Sequence, residues 1–469
     1  MPELPEVETV KNVLIKVVTD RTILSIDVLR KGNVDGDPTT FVNTLKGEKF
    51  LSVSRIGKFL IFHLSNNHVI LSHLRMEGKY YEYDEDEPNS KYARVVFHLD
   101  NKKKLIYDDS RCFGFVKLLD EDNYLLDKGL SKLGPEPFAV SDVKPIYEKA
   151  KKLRIPIKSA ILSQELITGL GNIYVDETLY RSHIHPHTPT YLITPKEWKT
   201  IIDESKDVLH EAILKGGSTI KSYHAGRDID GNFQNELKIY GKAGEICPNC
   251  GHRYRFITTG GRGTTFCPIC QIKIGKPINV GLTGKIASGK SEVLNEFKYN
   301  ACYTISTDQI VADLYKQKDV AKHIEKMFNL SFSNNEVDKD ILREYLLSNP
   351  KDKKKLERYI HPLVIKKTEE LLAKAKEDIR IVEVPLLFES KMDRMFDTLI
   401  IVNSDINKRY EHQKSRDGGK ASALRMINDT SIIDDHLLEA EFVINNNSSI
   451  DNLRKETDKI INKLTSRLG

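Results

Sequence analysis

Apolar positions fall into three textures along the chain. From residue 1 to about 130 they alternate with polar ones in short runs, KFLIFHL, HVILSHL, ARVVFHLD, KKLIYDD and GFVKLL, parted by polar turns rich in Gly and Asp. Period-two alternation predicts half-buried strands, and a succession of them predicts a β-sandwich, preceded by a short helix over Val7 to Val17. From about 133 to 222 the pattern lengthens to amphipathic helical segments punctuated by LGPEP, RIPIK, TGLGN and IHPHTP. After the short linker-like stretch QIKIGKPI, a buried run INVGLT feeds a Gly-rich loop and a helix. Further apolar strands at IRIVEVPLLF, DTLIIVN and AEFVIN alternate with Lys- and Glu-rich helices, the signature of a doubly wound parallel α/β domain.

Length fits this modular reading, since 469 residues exceed what one core organises at about 150 residues per domain. The predicted segments are 1–132, 133–222, 223–273 and 278–469. Charge changes little: 72 basic against 67 acidic residues leave +5, which permits an anionic partner without requiring one. The start MPELPEVETVKN lacks the basic and apolar regions of a signal peptide, and no apolar run reaches membrane-spanning length, so a cytoplasmic protein with no membrane partner is expected.

The cysteines add chemistry. Cys247-Pro-Asn-Cys250 and Cys267-Pro-Ile-Cys270 lie sixteen residues apart, a spacing that lets two knuckles wrap four thiolates around one zinc ion. Four protein ligands leave no open position, so such a zinc is structural. The segment 223–273 has few large aliphatics and needs that staple. Between the pairs, RYRFITTGGRGTTF reads as a basic, aromatic hairpin whose tip offers Arg262 to a phosphate or groove. Cys112 and Cys302 stand apart as free thiols.

Two further features are candidate reagents. Trimming of Met1 before the small Pro2 would expose a secondary amine, and an α-amino group of pKa ~7.7 to 8.0 is partly unprotonated at neutral pH and can attack carbon. Glu3 and Glu6 are near enough in sequence to donate or orient a proton. The stretch Gly284-Lys285-Ile286-Ala287-Ser288-Gly289-Lys290-Ser291 fits the phosphate-binding loop, with a strand before it and a helix after. Its N–H groups would cradle phosphates, Lys290 would neutralise them and Ser291 would hold magnesium. Kinase, ATPase and GTPase readings are open on the loop alone, and the domain's small size favours a small-molecule kinase.

The pieces MPELPEVE, RIGKFL, HLRMEGKY, DSRCFGF, LGPEP, GLGNIYVDETLY, GGSTIKSY, LKIYGKAGEICPNCG and GGRGTTFCPICQ occur in order over residues 1 to about 273. Together they closely resemble the bacterial formamidopyrimidine-DNA glycosylases, and the opening favours these over the endonuclease VIII relatives. The resemblance implies a β-sandwich, a helix-two-turn-helix domain and a zinc ribbon acting on damaged double-stranded DNA. It implies excision of oxidised purines through a Schiff base on Pro2, with Glu3 as proton donor, Lys58 assisting β-elimination and Arg262 assisting δ-elimination. Met76, Arg111 and Phe113 match the residues that fill the space of an extruded base, while Lys152 and Asn172 match DNA contacts. Tyr92 stands where the family usually has a DNA-contacting histidine, Cys112 replaces an arginine, and Thr265 replaces a frequent histidine.

Residues 278 to about 465 resemble dephospho-CoA kinase, through GLTGKIASGKS, STDQIVADLY, VDKDILREYL, LERYIHPLV, VEVPLLFE, KSRDG and AEFVINN. This implies transfer of the ATP γ-phosphate to the ribose 3′-hydroxyl of dephospho-CoA, with magnesium. Asp308 matches the general base, Glu383 stands where the family often has aspartate, and Arg416 matches a lid arginine. His412 and Lys339 each stand where arginine is frequent. The expected whole is a monomeric, bifunctional enzyme. The alternative is a lesion-binding module without chemistry joined to another nucleoside or nucleotide kinase.

Overall fold

Helix α1 (Leu4–Val18) opens the chain because Leu4, Val7, Val10, Leu14 and Val18 repeat on one face, all buried. Its first turn is closed by the Glu3 N–H donating to Glu6 Oε2 at 2.8 Å. The computed structural model describes residues 2–218, 232–417 and 432–468. They form two units, Met1–Lys242 with Thr259–Thr264, and Ala243–Thr258 with Thr265–Gly469.

In the first unit follow β1 (Ile23–Val28), α2 (Pro38–Leu45), β2 (Phe50–Ile56), β3 (Phe59–Leu64), β4 (His68–His73), β5 (Lys79–Asp84), β6 (Ala93–Leu99), β7 (Lys103–Asp108) and β8 (Phe115–Asp120). They make two antiparallel sheets, ordered β1-β6-β7-β5 and β2-β3-β4-β8. Phe50 and Phe62 of one sheet meet Phe97, Leu105 and Tyr107 of the other in one core, the expected sandwich. The five alternating runs are β3, β4, β6, β7 and β8. The sandwich adds β1, β2 and β5, of which β1 and β2 carry adjacent exposed positions that break the alternation.

The helical part holds α3 (Lys144–Ala150), α4 (Ile157–Leu162), α5 (Asn172–Arg181) and α6 (Pro195–Leu214), packed around Tyr174 and Trp198. The last is capped by Thr194 and Glu197, each accepting the other's N–H. Leu4 N–H donates to Gly169 O at 3.0 Å, fixing the chain's start against the turn before α5. Gly169 has φ of +105°, and a Cβ there would lie 2.5 Å from Leu4 Cδ1, so only glycine permits the approach.

A hairpin follows, β9 (Arg255–Thr259) and β10 (Arg262–Phe266). Gly260 and Gly261 turn it with φ of +55° and +74°, the two left-handed residues of a tight hairpin loop. The stretch after it is anchored: Gln271 and Lys273 are buried, and Lys273 Nζ pairs with the Asp397 carboxylate at 2.9 Å.

The second unit is built on β11 (Ile278–Gly284), β12 (Tyr303–Ser306), β13 (Ile379–Glu383), β14 (Thr398–Asn403) and β15 (Phe442–Asn445). The sheet is wholly parallel, in the order β12-β13-β11-β14-β15. Its helices are α7 (Lys290–Tyr299), α8 (Thr307–Tyr315), α9 (Lys318–Phe328), α10 (Lys339–Ser348), α11 (Lys353–Lys374), α12 (Ile406–Asp417) and α13 (Ile450–Thr465). Along β14, Leu399 and Ile401 join one apolar core while Ile400 and Val402 join another, so both faces are covered as in a doubly wound fold. Among the described residues no helix is long and apolar enough to cross a membrane.

Candidate active sites

In the first unit, α5 begins at Asn172, and a helix N-terminus leaves N–H groups unpaired. The Glu3 carboxylate takes them: it accepts from Gly171 N–H and, at 2.9 Å, from Ile173 N–H. Glu3 is only 2% exposed. Burial, helped by the charge of Glu6, pushes its carboxyl up to about 6, against the pull of Lys58 and the two N–H groups. Glu6 is held by Tyr174 Oη at 2.6 Å and Ser218 N–H at 2.8 Å.

Lys58, buried just before β3, donates to Leu170 O at 2.8 Å. Desolvation lowers its ammonium pKa and the charge of Arg262 adds to this, while Glu3 and Glu6 oppose it. Pro2 is buried beside Glu3 in the chain, and Met1 lies outside the described residues. Lys58 thus stands within electrostatic reach of both Glu3 and Arg262, although more than 200 residues separate those two in the chain.

Arg262 is carried on the exposed start of β10. The tip beside it is tied down by Asn172 Nδ2, which donates to Gly263 O at 3.0 Å. A fully buried pair that the sequence reading missed, Lys158 and Asp176 at 2.7 Å, does the same. Lys158 Nζ also donates to Thr264 Oγ1 at 2.8 Å and Gly263 O at 3.1 Å. A lysine amid the apolar run of α4 was the available signal.

Two neighbouring loops carry the expected base-filling side chains. Asp109, 1% exposed, accepts N–H groups from Arg111 and Cys112 at 2.9 Å and Gly114 at 2.8 Å, shaping the loop from inside. Outside, Phe113 is 58% exposed with the Arg111 guanidinium 5.0 Å from its ring centre. The loop bearing Met76 lies alongside, since a Cβ on Gly114 would approach Leu74 O to 3.1 Å. Tyr92, exposed, accepts the Asp109 N–H through its backbone carbonyl at 3.0 Å. Lys152 is exposed in the turn after α3.

In the second unit, Cys247, Cys250, Cys267 and Cys270 place their sulfurs within 4.8 Å of one another. Sγ separations of 3.8 Å (Cys247 to Cys270) and 3.4 Å (Cys250 to Cys267) suit a tetrahedral ion with Zn–S near ~2.3 Å, whose sulfurs stand ~3.8 Å apart. The four thiols fit a structural zinc.

The glycine-rich loop from Gly284 to Ser291 joins β11 to α7 as expected. Its residues Ile286 to Ser291 line a cavity of about 440 Å³, together with Asp308, Glu383 and His412. Lys290 Nζ donates to Gly284 O at 2.9 Å and Lys285 O at 3.0 Å, folded back over the loop. Gly289 has φ of +101°, and a Cβ there would lie 2.4 Å from Asn446 Nδ2. His412 Nδ1 lies 3.1 Å from Ala287 O.

A second, more apolar cavity of about 200 Å³ is walled by Asp308, His361, Pro385, Ser390 and Met392 among others. Asp308 and Pro385 line both cavities, so the phosphate-loop cavity and the apolar one adjoin at these two residues. Lys285 pairs with Asp434 at 2.7 Å. Lys339 is exposed at the start of α10 and lines neither cavity. Arg416 falls in the last turn of α12, and its side chain lies outside the described residues.

Comparison with known proteins finds two families along the chain. Residues 1–116 match the formamidopyrimidine-DNA glycosylase N-terminal domain, 133–224 its H2TH domain, and 278–452 dephospho-CoA kinase. The formamidopyrimidine-DNA glycosylase of Bacillus subtilis is 42% identical over 277 residues, covering 58% of this chain and 100% of that protein. That of Streptococcus pneumoniae strain R6 is 42% identical over 275 residues, covering 58% and 99%. Among solved structures, the wild-type Lactococcus lactis Fpg with N7-benzyl-Fapy-dG DNA superposes with a TM-score of 0.55 at 40% identity, over 58% of this chain and all of that one. The same enzyme with abasic-site DNA gives 0.55 at 39% identity, with the same coverage.

Proposed function

The chain belongs to the formamidopyrimidine-DNA glycosylase family over its first 58% and continues into a dephospho-CoA kinase domain, and on that premise we propose how each site works. In the first, Pro2, once Met1 is removed, attacks C1′ of an oxidised purine nucleotide such as 8-oxoguanine or a formamidopyrimidine. The glycosidic bond breaks and the base departs with the proton that the amine gives up, and Glu3 protonates O4′ as the C1′–O4′ bond opens, leaving an iminium between Pro2 and C1′. Lys58 assists β-elimination of the strand and Arg262 assists δ-elimination, while Met76, Arg111 and Phe113 occupy the space the extruded base leaves. The observation that carries this reading is the buried Glu3 carboxylate, next in the chain to Pro2 and held at the head of α5 by the Gly171 and Ile173 N–H groups. Burial raises its pKa to about 6, so it keeps its proton to a higher pH than an ordinary glutamate does.

In the second, ATP lies with its phosphates on the N–H groups of residues 284–291, with Lys290 against their charge and Ser291 toward magnesium. Asp308 removes the proton from the 3′-hydroxyl of dephospho-CoA, that oxygen attacks the γ-phosphorus, and ADP leaves. The shared lining of the two cavities supports this role for Asp308.

Borohydride trapping on an 8-oxoguanine duplex tests the first reaction. Wild type should give a covalent adduct and nicked product, and Pro2→Gly neither. A protein that binds the lesion yet gives no adduct would be a binding module. Comparing phosphoryl acceptors tests the second, and absence of transfer to dephospho-CoA would sink that assignment.

A further inference from the structure

Neither proposed chemistry uses Arg255, yet this arginine at the first position of β9 is 2% exposed. Its Nη2 donates to the carbonyls of Asp393 at 2.8 Å and Phe396 at 2.9 Å, and its Nη1 to that of Asp397 at 3.2 Å. The ring of Phe266 lies 5.2 Å from the guanidinium carbon. A planar fork of donors suits three main-chain acceptors spread over one short segment, and a single ammonium cannot span them. One more contact holds the same segment, Arg394 lying 5.0 Å from the Phe256 ring, while Arg253 N–H ties β9's approach to a different turn through Leu438 O at 2.8 Å.

The held segment is next to chemistry. Ser390 and Met392 wall the apolar cavity that Asp308 shares, and Met392 opens the short helical turn Met392–Met395, which includes Asp393. No residue between 386 and 411 lines the phosphate-loop cavity. An arginine from the four-cysteine ribbon therefore holds backbone next to one wall of the apolar cavity, at residues that do not line the phosphate-loop cavity.

We propose that Arg255 is a positioning residue for the acceptor site, holding residues 393–397 so that Ser390 and Met392 keep the shape of the cavity facing Asp308. This rests on reading that cavity as the dephospho-CoA site. Truncating the arginine takes the guanidinium donor from the buried carbonyls of Phe396 and Asp397, a loss the segment relieves by shifting toward water.

The test is kinetics of the full-length chain, wild type against Arg255→Met and Arg255→Lys, with hydrogen exchange of the same proteins. Arg255→Met should raise the KM for dephospho-CoA about tenfold, the scale of one buried group left unpaired, with the KM for ATP unchanged. Arg255→Lys should fall between. A general loss of stability would not separate the two substrates, so equal shifts in both KM values, or no shift, overturns the proposal. If wild type transfers no phosphate to dephospho-CoA, the kinase assignment fails by itself. Exchange then decides for Arg255: faster exchange over 387–397 with the phosphate loop 285–291 unchanged supports it, and identical exchange overturns it. Should Arg255→Met not fold, Arg255→Lys is read by the same two measurements.

Discussion

Glu3 shows how one residue carries both a structural and a chemical load. Its carboxylate satisfies N–H groups at the head of α5, which favours the ion, yet burial and Glu6 raise its pKa from 4.5 to about 6. Because the folded chain holds this proton more tightly than the unfolded chain does, the contribution to stability is full below about pH 4.5 and is lost as pH rises toward 6. The shift corresponds to about 2 kcal/mol. Urea unfolding of wild type should therefore weaken across that window, relative to Glu3→Gln, by an amount of that order. A constant difference between the two proteins from pH 4.5 to 7 would mean that Glu3 is not protonated in the folded state near pH 5.

At the scale of elements, what was legible depended on whether the signal was local. The runs that became β3, β4, β6, β7 and β8 alternate in the sequence itself, and the phosphate loop announces its strand and helix by spacing. β2 buries only Phe50 and Val53, so its pairing with β3 decides it. β12 is a four-residue strand with no fully buried residue. Lys158 and Arg255 escaped for the same reason: their meaning lies in partners, such as a carbonyl 142 residues away, that no local pattern records. The hairpin β9–β10 was legible, and its tip offers a clean test. Gly261 has φ of +74° with open space where a Cβ would stand, so Gly261→Val adds backbone strain of about 1–2 kcal/mol without a clash. The strain should displace Arg262 and shift nicked product from the doubly eliminated toward the singly eliminated end, with excision slowed less. An unchanged product ratio on a denaturing gel would detach Arg262 from δ-elimination.

For the whole molecule, the two active sites draw on separate residues, but the ribbon contributes to both units. Its hairpin tip, Thr259–Thr264, belongs with the unit that holds Glu3 and Lys58, and its base and four cysteines belong with the unit that holds the phosphate loop. Substitutions in one site should consequently leave the other reaction intact. Lys290→Ala should abolish phosphoryl transfer while preserving borohydride trapping, and Pro2→Gly should do the reverse. Removing zinc should not respect that separation. Structural zinc in small ribbons contributes about 10–16 kcal/mol of apparent binding energy, so a chelator frees the two knuckles that hold β9 and β10 in place. Arg262 then loses its setting at one end of the hairpin and Arg255 at the other. Chelation should therefore lower the thermal midpoint of the phosphate-loop unit, reduce trapping, and raise the KM for dephospho-CoA above that for ATP. Readdition of zinc should restore all three, and a chelated protein with a normal midpoint and normal acceptor KM would show that the ribbon serves DNA chemistry alone.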